Sequence, residues 1–259
     1  MSKAKAMAFE VCWVHRFFIG RGQFAPPQIT ISGSDVVHIR KVLRLKPGDR
    51  IEVVDEKGDL YLVQLKQVEV DRVVGKLIAE IRTTTQVFPE ITIAQAVPKG
   101  DKMDLIVQKA TELGVSRIVP LLSERVIVRL SPDLKARRLA RWRKLALESA
   151  KQSKRLSVPR VSEFLPLDVF CREKEARDLG IIFWEGETAT RLRSLLAGAK
   201  RVENIAVIIG PEGGFSNSEV EIARSCGFHP ATLGPRILRT ETVALSVLSV
   251  LQYELGDFG

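Results

Sequence analysis

Val207-Ile208-Ile209-Gly210-Pro211-Glu212-Gly213-Gly214-Phe215-Ser216 and Leu233-Gly234-Pro235-Arg236-Ile237-Leu238-Arg239-Thr240-Glu241-Thr242 decide how this chain is read. Each stretch is an apolar run that breaks into Gly-Pro and then opens a helix. A short β-branched run ended by glycine and proline reads as a buried strand, and helical periodicity behind it completes a strand-loop-helix turn. Two such turns this close together form two walls of one ligand site. Gly213 and Gly214 permit positive φ and close approach of backbone to a ligand. Arg236 and Arg239 stand just before a greasy helix, where guanidinium groups call for an anionic or acceptor-rich partner. Thr240 reads as the N-cap of that helix, and Glu241 suits its positive end. Simple capping explains those two residues as well as catalysis does.

The pattern around these turns is an α/β domain. Ile91 to Val97 is an apolar strand, and Asp101 caps a helix with Met103, Ile106, Val107, Ala110 and Leu113 close to one face, stopped by Gly114. Val115 to Leu122, Gly180 to Trp184 and Ile205 to Ile209 read as further strands, with Val126 to Val128 as another short apolar piece. Ser131-Pro132 opens a long helix with Leu134, Leu139, Trp142, Leu145 and Ser149 inward, and Arg137, Arg138, Arg141, Lys144 and Lys151 outward. Ser216 and Glu219 form a capping box for the helix that runs to Cys226. Alternating strands and helices predict a mainly parallel sheet. The helix from Thr240 to Leu255 is apolar nearly all round, which predicts burial on most sides or a subunit interface.

Residues 15–84 follow a different grammar. Ile51 to Asp55, Tyr61 to Val70 and Val73 to Thr83 are β-rich segments joined by turns, with one helical piece at Ser34 to Leu43 that Asp35 helps cap. A small β-barrel fits. The polar connector Thr83 to Pro89 marks the boundary, so the division reads as 1–14, 15–84 and 85–259.

Composition narrows the function. From Arg125 to Arg160 there are twelve Lys or Arg against two acids, a local +10 in a chain whose net charge is +9. A concentrated basic stripe is the footprint of a polyanion such as nucleic acid. No apolar run reaches the roughly 18 to 20 residues of a membrane span. Nothing resembles a secretory signal, so a cytoplasmic location is expected. Cys12, Cys171 and Cys226 are as scattered as His15, His38 and His229, which predicts a reducing compartment and no metal site. No GxxxxGK[ST], GxGxxG or GxSxG string is present, which disfavours a P-loop, a Rossmann site and a hydrolase elbow.

With those patterns set aside, a family resemblance takes over. Ala96-Val97-Pro98-Lys99-Gly100-Asp101-Lys102-Met103-Asp104, then Lys109 to Val115, Ser123-Glu124-Arg125-Val126, Gln152-Ser153-Lys154-Arg155, the Ile209 to Phe215 string and the Leu233 to Thr242 string occur in this order. Together with Arg16-Phe17-Phe18 and His38 to Leu45, they resemble the RsmE-type members of the SPOUT methyltransferases over about residues 15 to 257. Two departures stand out: Lys151 occupies a place where the family usually has glutamate, and residues 1–14 precede its usual start and are expected to be poorly ordered.

The resemblance implies a PUA-like RNA-binding barrel followed by a trefoil-knotted SPOUT domain, a homodimer, and S-adenosylmethionine as cofactor. The reaction it implies is methylation of N3 of a uridine in small-subunit (16S) ribosomal RNA near the decoding region. The implied cofactor residues are Trp184, Glu185, Gly186, Ile209, Gly210, Pro211, Glu212, Gly213, Gly214, Leu233, Gly234, Arg236, Ile237, Leu238 and Thr242. For catalysis it points to Arg236, Arg239, Arg16 and Glu241, with Glu212 as an alternative proton acceptor. For RNA it points to Arg16, His38, Arg40, Arg44, Arg125, Arg137, Arg138, Arg141, Gln152 and Arg155, and it requires neither metal nor membrane.

Overall fold

A computed structural model describes residues 14–82, 89–125, 131–173, 178–199, 202–256 and 258. The expected extra segment at the N-terminus, but for its last residue, the apolar piece Val126 to Val128 and most of the connector at 83–88 lie outside these described residues. The chain divides into two compact units: one falls within Met1–Thr85 together with Ala150–Ser157, the other within Gln86–Ser149 and Val158–Gly259.

The first unit is built on one sheet. Its strands are β1 (Arg16–Phe18), β2 (Phe24–Ala25), β3 (Gln28–Ser32), β4 (Arg50–Val54), β5 (Leu60–Val68) and β6 (Arg72–Ile81), in the order β1-β4-β5-β6-β3-β2. All neighbours are antiparallel except β1 and β4. Register shifts in the β5–β6 pair at Leu62/Val63 and Leu65/Gln67 raise the local twist, which bends this long ribbon. Ile29, Ile31, Ile51, Val53, Val63 and Leu65 line the concave core with Phe17.

The helix expected at Ser34 to Leu43 is only one α turn, α1 (Ser34–Val37), continued as a π turn over His38–Val42. Its N-cap is Gly33, with no side-chain cap bond. Asp35 takes the ammonium of Lys151 at 2.7 Å instead of capping. Lys151, expected to face out, is therefore buried at 7% exposure, and its charge also lies over the Phe17 ring. The segment 150–157 is further held by Arg16. The Arg16 guanidinium bonds Glu52 at 2.9 Å and the backbone carbonyls of Lys154 and Arg155, while Lys154 reaches the same Glu52 at 3.0 Å.

The second unit is a parallel sheet covered on both faces. Its strands are β7 (Glu90–Ala96), β8 (Arg117–Leu122), β9 (Arg160–Val161), β10 (Leu165–Pro166), β11 (Leu179–Phe183), β12 (Asn204–Ile209) and β13 (Phe228–Ala231). The order is β10-β8-β7-β12-β11-β13, with β9 beside β8, and every pair is parallel. Strands buried on two faces need apolar residues at successive positions, which is why β12 reads as a continuous run. Ile205, Val207 and Ile209 enter one core with α2 (Lys102–Glu112), α3 (Pro132–Gln152), α5 (Leu192–Leu196) and α7 (Thr240–Leu255). Ala206 and Ile208 enter the other with α4 (Leu167–Cys171) and α6 (Asn217–Ser225).

The caps fall partly where expected. Ser216 and Glu219 make the predicted capping box on α6, and the Glu219 carboxylate also accepts the backbone N–H of Glu124. Asp101 stands at the N-cap of α2 but makes no side-chain cap bond. Arg239, not Thr240, is the N-cap of α7.

Candidate functional site

Strand order reverses direction along the chain between β7 and β12. Such a switch point opens a crevice beyond the carboxyl ends of the strands, where ligands of open α/β sheets bind. Here the loops leaving β11, β12 and β13 enclose a cavity of about 720 Å³, within the range of about 300–1,000 Å³ typical of small-molecule sites.

Of the residues expected at a cofactor site, Trp184, Glu185, Ile209, Gly210, Pro211, Glu212, Gly214, Leu233, Gly234, Arg236, Ile237 and Leu238 line this cavity. Gly186, Gly213 and Thr242 are not among its lining. Gly186 packs under Trp184, where an added Cβ would sit 2.4 Å from the indole. Gly213 faces Arg125, whose guanidinium donates to the Gly213 carbonyl at 2.8 Å. Thr242 is exposed on α7. Gly213 and Gly214 both permit positive φ, but only Gly214 adopts it, at +67°, and a Cβ there would meet the Glu185 carboxylate at 3.0 Å.

The cavity also takes in residues that the sequence did not assign to it, among them Lys102, Glu187, Thr188, Arg191 and Thr240. Lys102 belongs to the Lys-Gly-Asp-Lys string, so its place in a motif was the available signal. Its ammonium lies 2.7 Å from Glu212 and 3.7 Å from Glu241. Glu212 additionally accepts the backbone N–H of Lys99 at 3.2 Å. Burial pushes the Glu212 carboxyl up, but the Lys102 hydrogen bond, backbone N–H groups and the ammonium charge outweigh it and hold the group below its ordinary value. Lys102 is raised in turn by its hydrogen bond to Glu212. On the opposite wall, the N–H groups of Thr190 and Ala189 hold Glu187 below its ordinary value.

Charges without a side-chain hydrogen bond gather at the cavity. Arg236 and Arg239 both line the cavity, both are exposed, and neither side chain has a hydrogen bond or ion pair among the described residues. Glu241 is mostly buried, and its Oε2 has no hydrogen-bond partner among the described residues. Arg16, expected as a second catalytic cation and an RNA contact, is buried at 8% and committed to Glu52 and to two carbonyls. Its side chain is structural.

The expected RNA contacts sort by what else they do. In the first unit Arg44 and Gln152 are exposed and Arg40 is half-buried. His38 packs edge-on to Phe17, and Arg155 is half-buried with its carbonyl taken by Arg16. In the second unit Arg137 is exposed and Arg138 half-buried. Arg125 is spent on Gly213, and Arg141 is ion-paired with Asp104. Among the described residues no group of three or more His, Cys, Asp or Glu could hold a metal, and no helix is long and apolar enough to cross a membrane.

Comparison with known proteins agrees with this geometry. Residues 86–252 match the family model of the RNA methyltransferase domain, and residues 31–78 match that of the RNA methyltransferase PUA domain. The chain is 32% identical over 233 residues to ribosomal RNA small subunit methyltransferase E of Bacillus subtilis, covering 88% of this chain and 91% of the relative. It is 32% identical over 218 residues to the protein of the same name from Aquifex aeolicus, covering 84% and 90%. The structure superposes on ribosomal RNA small subunit methyltransferase E of Neisseria gonorrhoeae, solved with S-adenosyl methionine bound, with a TM-score of 0.85 at 32% identity over 95% of this chain and all of that one.

Proposed function

Because the chain belongs to the RNA methyltransferase family whose members include the ribosomal RNA small subunit methyltransferases E, we propose that it uses S-adenosylmethionine to methylate N3 of a uridine in small-subunit ribosomal RNA near the decoding region. The observation that carries the reading is the cavity at the switch point, walled by both Gly-Pro loops and lined by the unpaired side chains of Arg236 and Arg239.

The residues present suit the cofactor. Glycine at 210 and 214 leaves one wall as bare backbone, since a Cβ at Gly210 would press on Phe215 and one at Gly214 on Glu185. Trp184, Glu185 and the Leu233 to Leu238 loop form the other walls. When bound, S-adenosylmethionine supplies an electrophilic methyl group on a sulfonium. The protein's task is then to position the base and to manage one proton. Uracil N3–H is a weak acid, and cations beside its carbonyl oxygens stabilise the charge that develops as the proton leaves. Arg236 and Arg239, on the loop that leads into α7, are cations free to do this. Glu241 is the better proton acceptor of the two carboxylates considered, because Glu212 already accepts hydrogen bonds from Lys99 and Lys102, whereas Glu241 Oε2 accepts none among the described residues and lies 3.7 Å from the Lys102 ammonium.

The PUA-type unit and the exposed bases Arg44 and Arg137 support ribosomal RNA as the partner. A homodimer is supported by α7, which keeps Tyr253 at 66% and Val250 at 38% exposure on an otherwise apolar helix. Light scattering should give twice the 28.9 kDa chain mass. Nucleoside mass spectrometry of small-subunit rRNA tests the reaction: a strain lacking this protein should lose one 3-methyluridine and regain it on complementation. An undiminished 3-methyluridine level in that strain refutes the assignment.

A further inference from the structure

The cavity loop at 210–214 is held from outside at three points. Two lie near the surface: Arg125 on the Gly213 carbonyl, and Lys99 with Lys102 on Glu212. The third is buried. Gln95, with no exposed surface, sits on β7 opposite Ile209 in the β7–β12 pairing. Its Nε2 donates to the Ala96 carbonyl and to Thr240 Oγ1, both at 2.9 Å, with the Gly210 carbonyl at 3.4 Å. Two of those three neighbours are carbonyls, which only accept, so the amide end of Gln95 must face them. Thr240 then has its proton free, and its hydroxyl donates to the Gly210 carbonyl at 2.6 Å.

This hydroxyl is not capping α7, because Arg239 holds the N-cap place and Thr240 is already helical. It is directed across 30 residues of sequence to one peptide group. That peptide is unusual in having no N–H, since residue 211 is proline. Its carbonyl is the only polar handle by which the Gly210–Pro211 plane can be oriented, and both residues line the cavity.

We propose that Gln95 and Thr240 are positioning residues, a donor relay that fixes the Gly210–Pro211 peptide and thereby shapes the cofactor wall. The relay rests on reading the cavity as the S-adenosylmethionine site. Thr240→Val keeps the branched shape and removes the hydroxyl. Gln95→Leu fills the same space and offers no N–H, so nothing obliges the Thr240 proton to point at Gly210. Removing the short Thr240 bond leaves the part-buried Gly210 carbonyl at most the 3.4 Å contact from Gln95, a loss of about tenfold in affinity, or ~1.4 kcal/mol.

Calorimetric titration of S-adenosylmethionine should show about tenfold weaker binding for each variant and near-normal binding for Thr240→Ser. The double variant should be little weaker than either single one, because the relay is already broken. Binding of small ribosomal subunits without cofactor should stay within about twofold of wild type, a separation that general destabilisation would not produce. All variants are compared below the melting temperature of the least stable. If folded Thr240→Val and Gln95→Leu bind the cofactor as wild type does, the relay is overturned while the cavity assignment stands. If wild type itself does not bind S-adenosylmethionine, the cavity assignment fails and the relay with it.

Discussion

Replacing Glu52 with glutamine should destabilise the first unit by about 3 kcal/mol, because removing one member of a buried ion pair costs about 3–5 kcal/mol. Glu52 is 2% exposed and receives Arg16 Nε at 2.9 Å and Lys154 Nζ at 3.0 Å. The substitution keeps the shape and strands both cations. Arg16, with 7% of its side chain exposed, dominates the loss. Lys154 is 39% exposed, so water screens it and its share is under ~1 kcal/mol. The carbonyls of Lys154 and Arg155 still accept from Arg16, which holds the total near the lower end of the range. Hydrogen exchange read by mass spectrometry reports this directly, since the described tryptophans, Trp142 and Trp184, both lie in the other unit. Amides of β1 and β4 that exchange through opening of the unit should speed up by about a hundredfold, the equivalent of ~3 kcal/mol. Arg16→Met combined with Glu52→Leu should recover only part of that protection, because an apolar pair replaces the buried ion pair at little cost but leaves the carbonyls of Lys154 and Arg155 without the Arg16 guanidinium. Protection unchanged in Glu52→Gln would mean that Arg16 is not committed to Glu52, and its role as a substrate-facing cation would reopen.

Three further outcomes follow from the site. Gly214→Ala should weaken S-adenosylmethionine binding more than Gly213→Ala, because left-handed backbone costs a Cβ-bearing residue ~1–2 kcal/mol and only Gly214 adopts it, at +67°; the reverse order in calorimetry refutes the loop geometry. Glu212 is held below its ordinary 4.5, so its anchoring of the loop is complete above that value and is lost only as pH falls through the lower folded value. Cofactor affinity should therefore stay flat from pH 7 to about 5 and drop in stronger acid, and Glu212→Gln should lack that acid limb; a loss beginning near neutrality contradicts the assignment. Arg137→Glu with Arg138→Glu should weaken binding of small ribosomal subunits and reduce the salt slope by about one for each phosphate no longer neutralised, whereas Arg141→Glu also breaks the pair with Asp104 and should lower the melting temperature; salt-titrated filter binding that leaves the slope intact excludes this helix from the interface.

What was legible in the sequence depended on whether a residue's role was local. Strands β4 to β8, β11 and β12, the two Gly-Pro loops and the Ser216–Glu219 capping box follow from periodicity and from contacts within a few residues, and they stand close to where they were expected. Roles that depend on a distant partner were misread. Lys151 looked like one more outward base on a charged helix, yet Asp35, over a hundred positions away, draws it inside. The family resemblance offers Arg16 as a catalytic cation and an RNA contact, yet Glu52 on the neighbouring strand holds it. Thr240 had the right residue type in the right place for an N-cap, and tertiary demand moved the cap back to Arg239.

That last displacement had a signal, carried by its partner. Ile91-Thr92-Ile93-Ala94-Gln95-Ala96-Val97 is the central strand of a parallel sheet, where both faces are buried and a polar side chain must be satisfied inside the protein. A glutamine can hydrogen-bond through donors and an acceptor, so its presence in so apolar a strand by itself calls for a buried polar partner. Thr240 and the Gly210 carbonyl supply that partner, and the bare Oε1 shows that the donors are the half in use. An apolar residue would fill the same space at lower cost to the core. What glutamine adds is direction: it obliges the Thr240 proton to point at Gly210, and so converts a packing position in β7 into control over a peptide plane on the cavity wall.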